Sequence, residues 1–225
     1  MTSYPVNLNL AGAQCLVVGG GAVGERKVMG LLPCSPSITV ISPALTEVLL
    51  SLAGEGKITH LRREYERADL EGYALVFAAT NDEEKNIEIA SQAKSLGILV
   101  NAATSPELSS FSNPTATRRG RLLLTVSTEG LSPALSKRIR EEIERMIGPE
   151  YEMMTDLLGA LREPLKSLRP EERERRRVIE EILSSRVMAF LRDGRYEDAR
   201  DEVERITGVT LSELGVQIGD TPAAP

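Results

Sequence analysis

The sequence predicts an α/β fold: a doubly wound parallel sheet, followed by a distinct segment and a C-terminal helical domain. Three observations carry this. Short apolar, β-branched runs alternate with helix-like stretches as far as Asn101, the pattern of a parallel sheet covered on both faces. A glycine-rich turn of the form G-x-G-x-x-G stands directly between the first such run and a helix. Beyond Asn101 the alternation stops, and from Glu150 to Thr207 the chain is charge-dense and helical in pattern.

Taken in order, residues 4–10 read as an extended lead-in, and Ala11-Gly12-Ala13 turns the chain into a first strand centred on Leu16-Val17-Val18. A helix follows from about Ala22 to Leu32, broken by Pro33 and Pro36. Ser37–Ile41 is a second strand, and Pro43 opens a helix through about Ala53, closed by Gly54-Glu55-Gly56. Lys57–Arg62 is a third, amphipathic strand, and Ala74–Ala79 a fully apolar fourth. Thr80-Asn81-Asp82 supplies capping chemistry for a helix over 83–96. Gly97 ends it, and Ile98–Asn101 is a fifth strand. Residues 104–119, rich in Ser, Thr, Pro and Asn, read as a long loop at the carboxyl end of a strand, where α/β proteins place ligands. Arg121–Ser127 is one more strand, and Ser132-Pro133 starts a helix to about Met146. In the region that follows, Pro164 and Pro170 divide the sequence into two or three helices. Leu157, Leu158, Leu161, Leu165 and Leu168 share one face there, a stripe that reads as core or partner contact. Gly215–Pro225 reads as a frayed tail.

Each glycine of the motif has its own physical task. Gly19 permits the tight turn off the strand, Gly21 lets backbone approach a pyrophosphate, and Gly24 lets the helix pack closely on the sheet. The helix N-terminus at Ala22 and Val23 presents N–H groups and a positive dipole end to phosphates. The expected dinucleotide site of this Rossmann-type arrangement therefore comprises Gly19, Gly21, Ala22, Val23 and Gly24. Ser42 and Pro43 close the second strand, and Ala79, Thr80 and Asn81 the fourth. An acid at the end of the second strand would hold the ribose hydroxyls of NAD. Ser42 stands there instead, so the choice between NAD and NADP is not written in the motif.

Composition narrows the function. A net charge of −6 with 4% aromatics and no tryptophan argues against a nucleic-acid partner. No apolar run approaches the roughly 20 residues needed to span a bilayer. The opening Met-Thr-Ser-Tyr-Pro lacks the regions of a signal peptide. A cytoplasmic protein with two reduced cysteines, Cys15 and Cys34, is expected. The single histidine, His60, excludes sites built on several histidines, and no resident metal is expected. In this acidic chain Arg118, Arg119 and Arg121, with Lys137, Arg138 and Arg140, form the main anion-recognition cluster. Ser127 and Thr128, before a glycine-containing turn, are further donors.

The run Leu16–Lys27, with Arg63-Glu64-Tyr65, Ala78–Asp82, Val100-Asn101 and Ser127-Thr128-x-Gly130-x-Ser132-Pro133, continuing through Arg138-x-Arg140-x-x-Ile143-Glu144, resembles the precorrin-2 dehydrogenase/sirohydrochlorin ferrochelatase family. That family includes the N-terminal module of siroheme synthases. The resemblance implies NAD-dependent oxidation of the tetrapyrrole precorrin-2 to sirohydrochlorin on a homodimer, with iron insertion into sirohydrochlorin alone or in addition as the alternative. It implies an NAD-binding domain over 1–112, a dimerisation and substrate-cleft segment over 113–148, and a helical domain over 149–225. Asn101, Ser127, Thr128, Arg118, Arg119 and Arg138 are the expected substrate contacts. Where the family usually has an aspartate after the fifth strand, this chain has Thr104, and where it usually has a glycine, Glu129. A neutral hydroxyl is no carboxylate base. Proton chemistry then falls to Asp82, Glu107 or Glu129, or contributes little. A non-catalytic module that binds NAD or tetrapyrrole is the reading of another class.

Overall fold

A computed structural model describes residues 3–218. The chain folds as two compact units, the first ending at Asn113 and the second beginning at Pro114.

The first unit contains five parallel strands: β1 (Gln14–Val18), β2 (Ser37–Ile41), β3 (Thr59–Leu61), β4 (Leu75–Ala78) and β5 (Leu99–Ala102). Their order is β3-β2-β1-β4-β5, with Val17 opposite Val40 on one side and Phe77 on the other. Three helices connect them: α1 (Ala22–Leu31), α2 (Glu47–Gly54) and α3 (Glu83–Ser95). Because strand side chains alternate between faces, β1 feeds two cores. Leu16 and Val18 pack with Ile89, Ala90 and Ala93 of α3. Cys15 and Val17 pack with Val28 and Leu31 of α1 and with Leu49 and Leu52 of α2. Both faces are thus covered, which is why the strands read as continuous apolar runs. Each buried aliphatic side chain contributes about 1.5–3 kcal/mol.

Two segments differ in kind from expectation. Pro43 does not open α2. The helix begins at Glu47, where the Thr46 hydroxyl accepts from the Leu49 amide. Pro43, Ala44 and Leu45 instead wrap around the glycine turn, with the Thr46 amide donating to the Gly20 carbonyl at 3.0 Å. The segment after β5 is also not wholly loop, because Thr115–Arg119 is a strand, β6.

In the second unit β6 pairs antiparallel with β7 (Leu122–Val126) around Gly120. Helix α4 (Pro133–Met146) follows, its N-cap Ser132 accepting from the Leu135 amide. Four more helices follow: α5 (Glu150–Leu168), α6 (Glu172–Ser184), α7 (Val187–Arg192) and α8 (Tyr196–Thr207). Pro164 lies inside α5 rather than ending it. Leu161 and Leu165 on either side of it are buried, so packing holds the helix through a residue that would break it in isolation. The leucine stripe is core. Leu157, Leu161 and Leu165 pack against Ile182, Val187, Leu191 and Val203 of the same chain. Leu211 and Val216 complete that core, so the tail expected to fray from Gly215 is packed at least through Val216. Residues 219–225 lie outside the described residues. Among the described residues no helix is long and apolar enough to cross a membrane.

Candidate functional site

A cleft of about 690 Å³ opens at the carboxyl edge of the first unit's sheet. It lies where β1 and β4 are neighbours but lead to helices on opposite faces, the topological switch point at which such sheets bind ligands. Val18–Gly21 form its floor, Ser42–Thr46 and Arg63–Tyr65 one wall, and Ala79–Asp82 with Lys85 the other.

The glycine turn is fixed by packing at three positions and open at one. Gly19 has φ +113°, and a Cβ there would overlap the Ala79 carbonyl. A Cβ on Gly20 would overlap the Ala44 carbonyl, and one on Gly24 the Gly19 carbonyl. Gly21 is different: a Cβ would meet nothing within 4 Å, and its φ of −84° is open to any residue. The protein itself leaves that space clear. Of the three α-helices among the described residues of this unit, α2 and α3 carry side-chain caps, from Thr46 and Asp82, and α1 has none. The first-turn N–H groups of α1, at Ala22 and Val23, thus have no capping side chain, as an anion site at a helix N-terminus requires. These features fit a dinucleotide pyrophosphate.

Around the turn the walls are braced internally. Ser42 Oγ donates to the Ala44 carbonyl at 2.7 Å, and His60 Nε2 lies 2.9 Å from the Ser42 carbonyl, to which it donates. Tyr65 donates its hydroxyl to Gln92 at 2.7 Å. Burial pushes its phenol up to about 12, so it stays neutral. Asp82 accepts from the Lys85 amide at 3.1 Å as the N-cap of α3.

Thr104 is tied to this cleft by a residue that sequence reasoning missed, Asn86, which is fully buried on α3. Asn86 Oδ1 accepts from the Thr80 amide (3.0 Å) and hydroxyl (2.8 Å). Its Nδ2 donates to the Thr80 carbonyl (3.0 Å) and to Thr104 Oγ1 (3.2 Å). One amide therefore locks the end of β4 to the loop after β5. Only a polar residue within an otherwise apolar helix face signals it in the sequence. Asn101 is likewise used internally. Its Oδ1 accepts from Lys27 Nζ at 2.9 Å and its Nδ2 donates to the Phe111 carbonyl at 3.1 Å. Lys27 sits over the Phe77 ring, and burial lowers its ammonium pKa.

The remaining expected residues stand in the second unit. Arg118 is exposed on β6, and Arg119 donates to the Ile147 carbonyl at 3.2 Å. On α4, Arg138 pairs with Glu142 at 3.1 Å and Arg140 with Glu144. Thr128 Oγ1 accepts from the Ser132 amide, and Ser127 Oγ from the Glu129 amide. Glu129 has φ +52° and precedes Gly130 at +84°, a left-handed pair in which glycine is the easier occupant. Among the described residues no three His, Cys, Asp or Glu side chains converge as a metal site.

Residues 6–115 match a family described as putative NAD(P)-binding, 119–146 the sirohaem biosynthesis protein central region, and 150–206 the sirohaem synthase dimerisation region. Siroheme synthase of Thioalkalivibrio sulfidiphilus is 35% identical over 227 residues, covering 100% of this chain and 46% of that protein. The Methylococcus capsulatus siroheme synthase is 36% identical over 199 residues, 88% of this chain and 42% of that protein. This chain thus spans about half the length of the curated relatives it matches. The solved structure of SirC, a precorrin-2 dehydrogenase, superposes with a TM-score of 0.74 at 28% identity, covering 92% of this chain and 100% of that one. The chain thus matches the NAD(P)-binding, sirohaem-biosynthesis central and sirohaem-synthase dimerisation families in succession, and is similar to the siroheme synthases over about half their length and to the precorrin-2 dehydrogenase SirC over the whole of that protein.

Proposed function

We propose that this protein oxidises precorrin-2 to sirohydrochlorin with NAD⁺, in the cytoplasm and as a homodimer. The observation that carries the reading is the pairing of an uncapped α1 N-terminus with an open Gly21 at the switch-point cleft. The likeness to SirC over its whole length supports it. Gly19–Val23 would hold the pyrophosphate of a bound cofactor, with Ser42 and Pro43 available to its adenosine ribose and Ala79–Asn81 to its nicotinamide half. NAD⁺, when bound, supplies the acceptor for the hydride, and the macrocycle also loses one proton.

The residues of this chain act chiefly by position. Asn86 holds Thr80 and Thr104 in one arrangement, so the edge beside the cofactor is fixed before substrate arrives. The Thr104 hydroxyl already accepts from Asn86, and the Asp82 carboxylate caps a helix. We assign neither as an essential base, and the proton passes to solvent. Arg118, Arg119 and Arg138, with Ser127 and Thr128, are proposed contacts for the macrocycle's carboxylates. The homodimer rests on the match to the dimerisation region over 150–206. Within the α5 stripe, Leu157, Leu161 and Leu165 are covered by the chain's own helices and so are not available to that interface.

The test is anaerobic incubation of the protein with precorrin-2 and NAD⁺, followed by absorbance. Sirohydrochlorin should appear only when NAD⁺ is present. A folded protein that yields none overturns the proposal in favour of a non-catalytic binding module.

A further inference from the structure

We infer that the Arg63–Asp69 ion pair sets this cleft's selectivity at the cofactor's 2′ position, by withholding an arginine that would otherwise bind a 2′-phosphate. The inference rests on the cofactor reading above.

Discrimination at this position usually comes from an acid at the end of the second strand, which rejects a phosphate, or from an arginine nearby, which welcomes it. Ser42 carries neither charge, and its hydroxyl is engaged by the Ala44 carbonyl. The charges lining that wall come from the loop after β3 instead. Since Ile41 pairs with Leu61, and the Ser42 amide donates to the Leu61 carbonyl, that loop is brought alongside Ser42 and Pro43. It places Arg63 and Glu64 on the wall.

Arg63 occupies the place of a phosphate-binding arginine, yet a carboxylate already holds it. Its Nη1 and Nη2 donate to the two Asp69 oxygens at 2.7 and 2.5 Å, and Nη1 also donates to the Glu64 carbonyl at 3.0 Å. Asp69 is fixed in turn by the Glu66 amide at 2.7 Å, and its side chain is only 11% exposed. The guanidinium fork therefore has the bidentate partner that a phosphate would need. A neutral ribose diol meets this wall without penalty. A 2′-phosphate would have to displace Asp69 and lie beside Glu64.

The experiment is calorimetric titration of NAD⁺ and NADP⁺ into the wild-type protein and into Asp69→Asn, Arg63→Ala and the double variant. The wild type should bind NAD⁺ the more tightly. Asp69→Asn should raise the affinity for NADP⁺ relative to NAD⁺ about tenfold or more, the worth of a released charge-assisted bond. The double variant should lose that gain. Arg63→Ala alone leaves an unmatched carboxylate at the wall, and should lower the ratio several-fold. That variant decides the matter if Asp69→Asn does not fold. An unchanged ratio in folded Asp69→Asn or Arg63→Ala overturns the inference while leaving the cofactor site intact. Absence of NAD⁺ binding by the wild type removes the cofactor reading itself, and this inference with it.

Discussion

Gly21→Asp separates what the glycine turn does for folding from what it does for binding. Gly21 is the N-cap of α1, with ordinary extended backbone and open space where a Cβ would stand. Aspartate is among the best N-cap residues, better than glycine by a few tenths of a kcal/mol, and its charge complements the helix dipole. The protein without ligand should therefore gain about 0.5 kcal/mol and about 1–2 °C in Tm. The same carboxylate would face a pyrophosphate approaching the α1 N–H groups. Two like charges 5 Å apart at an effective dielectric of about 20 repel by about 3 kcal/mol, a loss of roughly a hundredfold in affinity. Gly24→Ala makes the contrast, because its Cβ would run into the Gly19 carbonyl. Overpacking against backbone costs about 1–3 kcal/mol, offset by at most about 1 kcal/mol of helix propensity. Thermal unfolding with and without NAD⁺, together with calorimetry, reads both effects. A folded Gly21→Asp with wild-type NAD⁺ affinity would refute the assignment of the turn.

Thr104→Asp would place a carboxylate where Asn86 Nδ2 already points a donor, and should raise iron insertion into sirohydrochlorin more than oxidation, by about 10²-fold or more; equal gains in both rates would contradict the assigned roles. Asn86→Ala should remove four hydrogen bonds from a buried position and destabilise the first unit by about 2–4 kcal/mol, whereas an unfolding free energy lowered by less than about 0.5 kcal/mol in denaturant titration would show the bracket to be unimportant. Glu129→Gly should relieve a left-handed backbone and stabilise the second unit by about 1 kcal/mol while keeping the oxidation rate; a thousandfold loss of rate would make Glu129 catalytic. The pairing with Arg63 holds the Asp69 carboxyl below its ordinary range, so its stabilisation is fully present above the unfolded pKa, about 3.9, and is lost as pH falls through the lower folded value. Acid unfolding followed by circular dichroism should show that loss in the wild type and not in Asp69→Asn.

The periodic and the punctuated parts of the chain were legible in the sequence. Ser37–Ile41 is a strand at the bounds expected, because a β-branched run between turn residues has few other uses. The glycine turn was legible because its first and last glycines answer to steric demands of the fold, which the structure shows at Gly19 and Gly24. Thr115–Arg119 was not, since a polar strand of a two-stranded hairpin lacks apolar alternation. Pro164 misled because its helix is held by long-range packing rather than by propensity. At the site, Arg63 was legible only as part of the Arg63-Glu64-Tyr65 run and Asn86 not at all, for a shared reason. Arg63 reaches the cleft only through the pairing of β2 with β3, and Asn86 matters only because β4 and β5 lie side by side. Neither fact is local in sequence.

Hydride transfer from precorrin-2 to a nicotinamide in the switch-point cleft is tested most directly by a single-turnover experiment. Excess protein with NAD⁺ is mixed anaerobically with precorrin-2, and NADH and sirohydrochlorin are followed together. The two products should appear at one rate and in equal amounts, and Gly21→Asp should suppress both alike. Sirohydrochlorin formed without NADH, or NAD⁺ bound tightly with no NADH produced, would contradict the account.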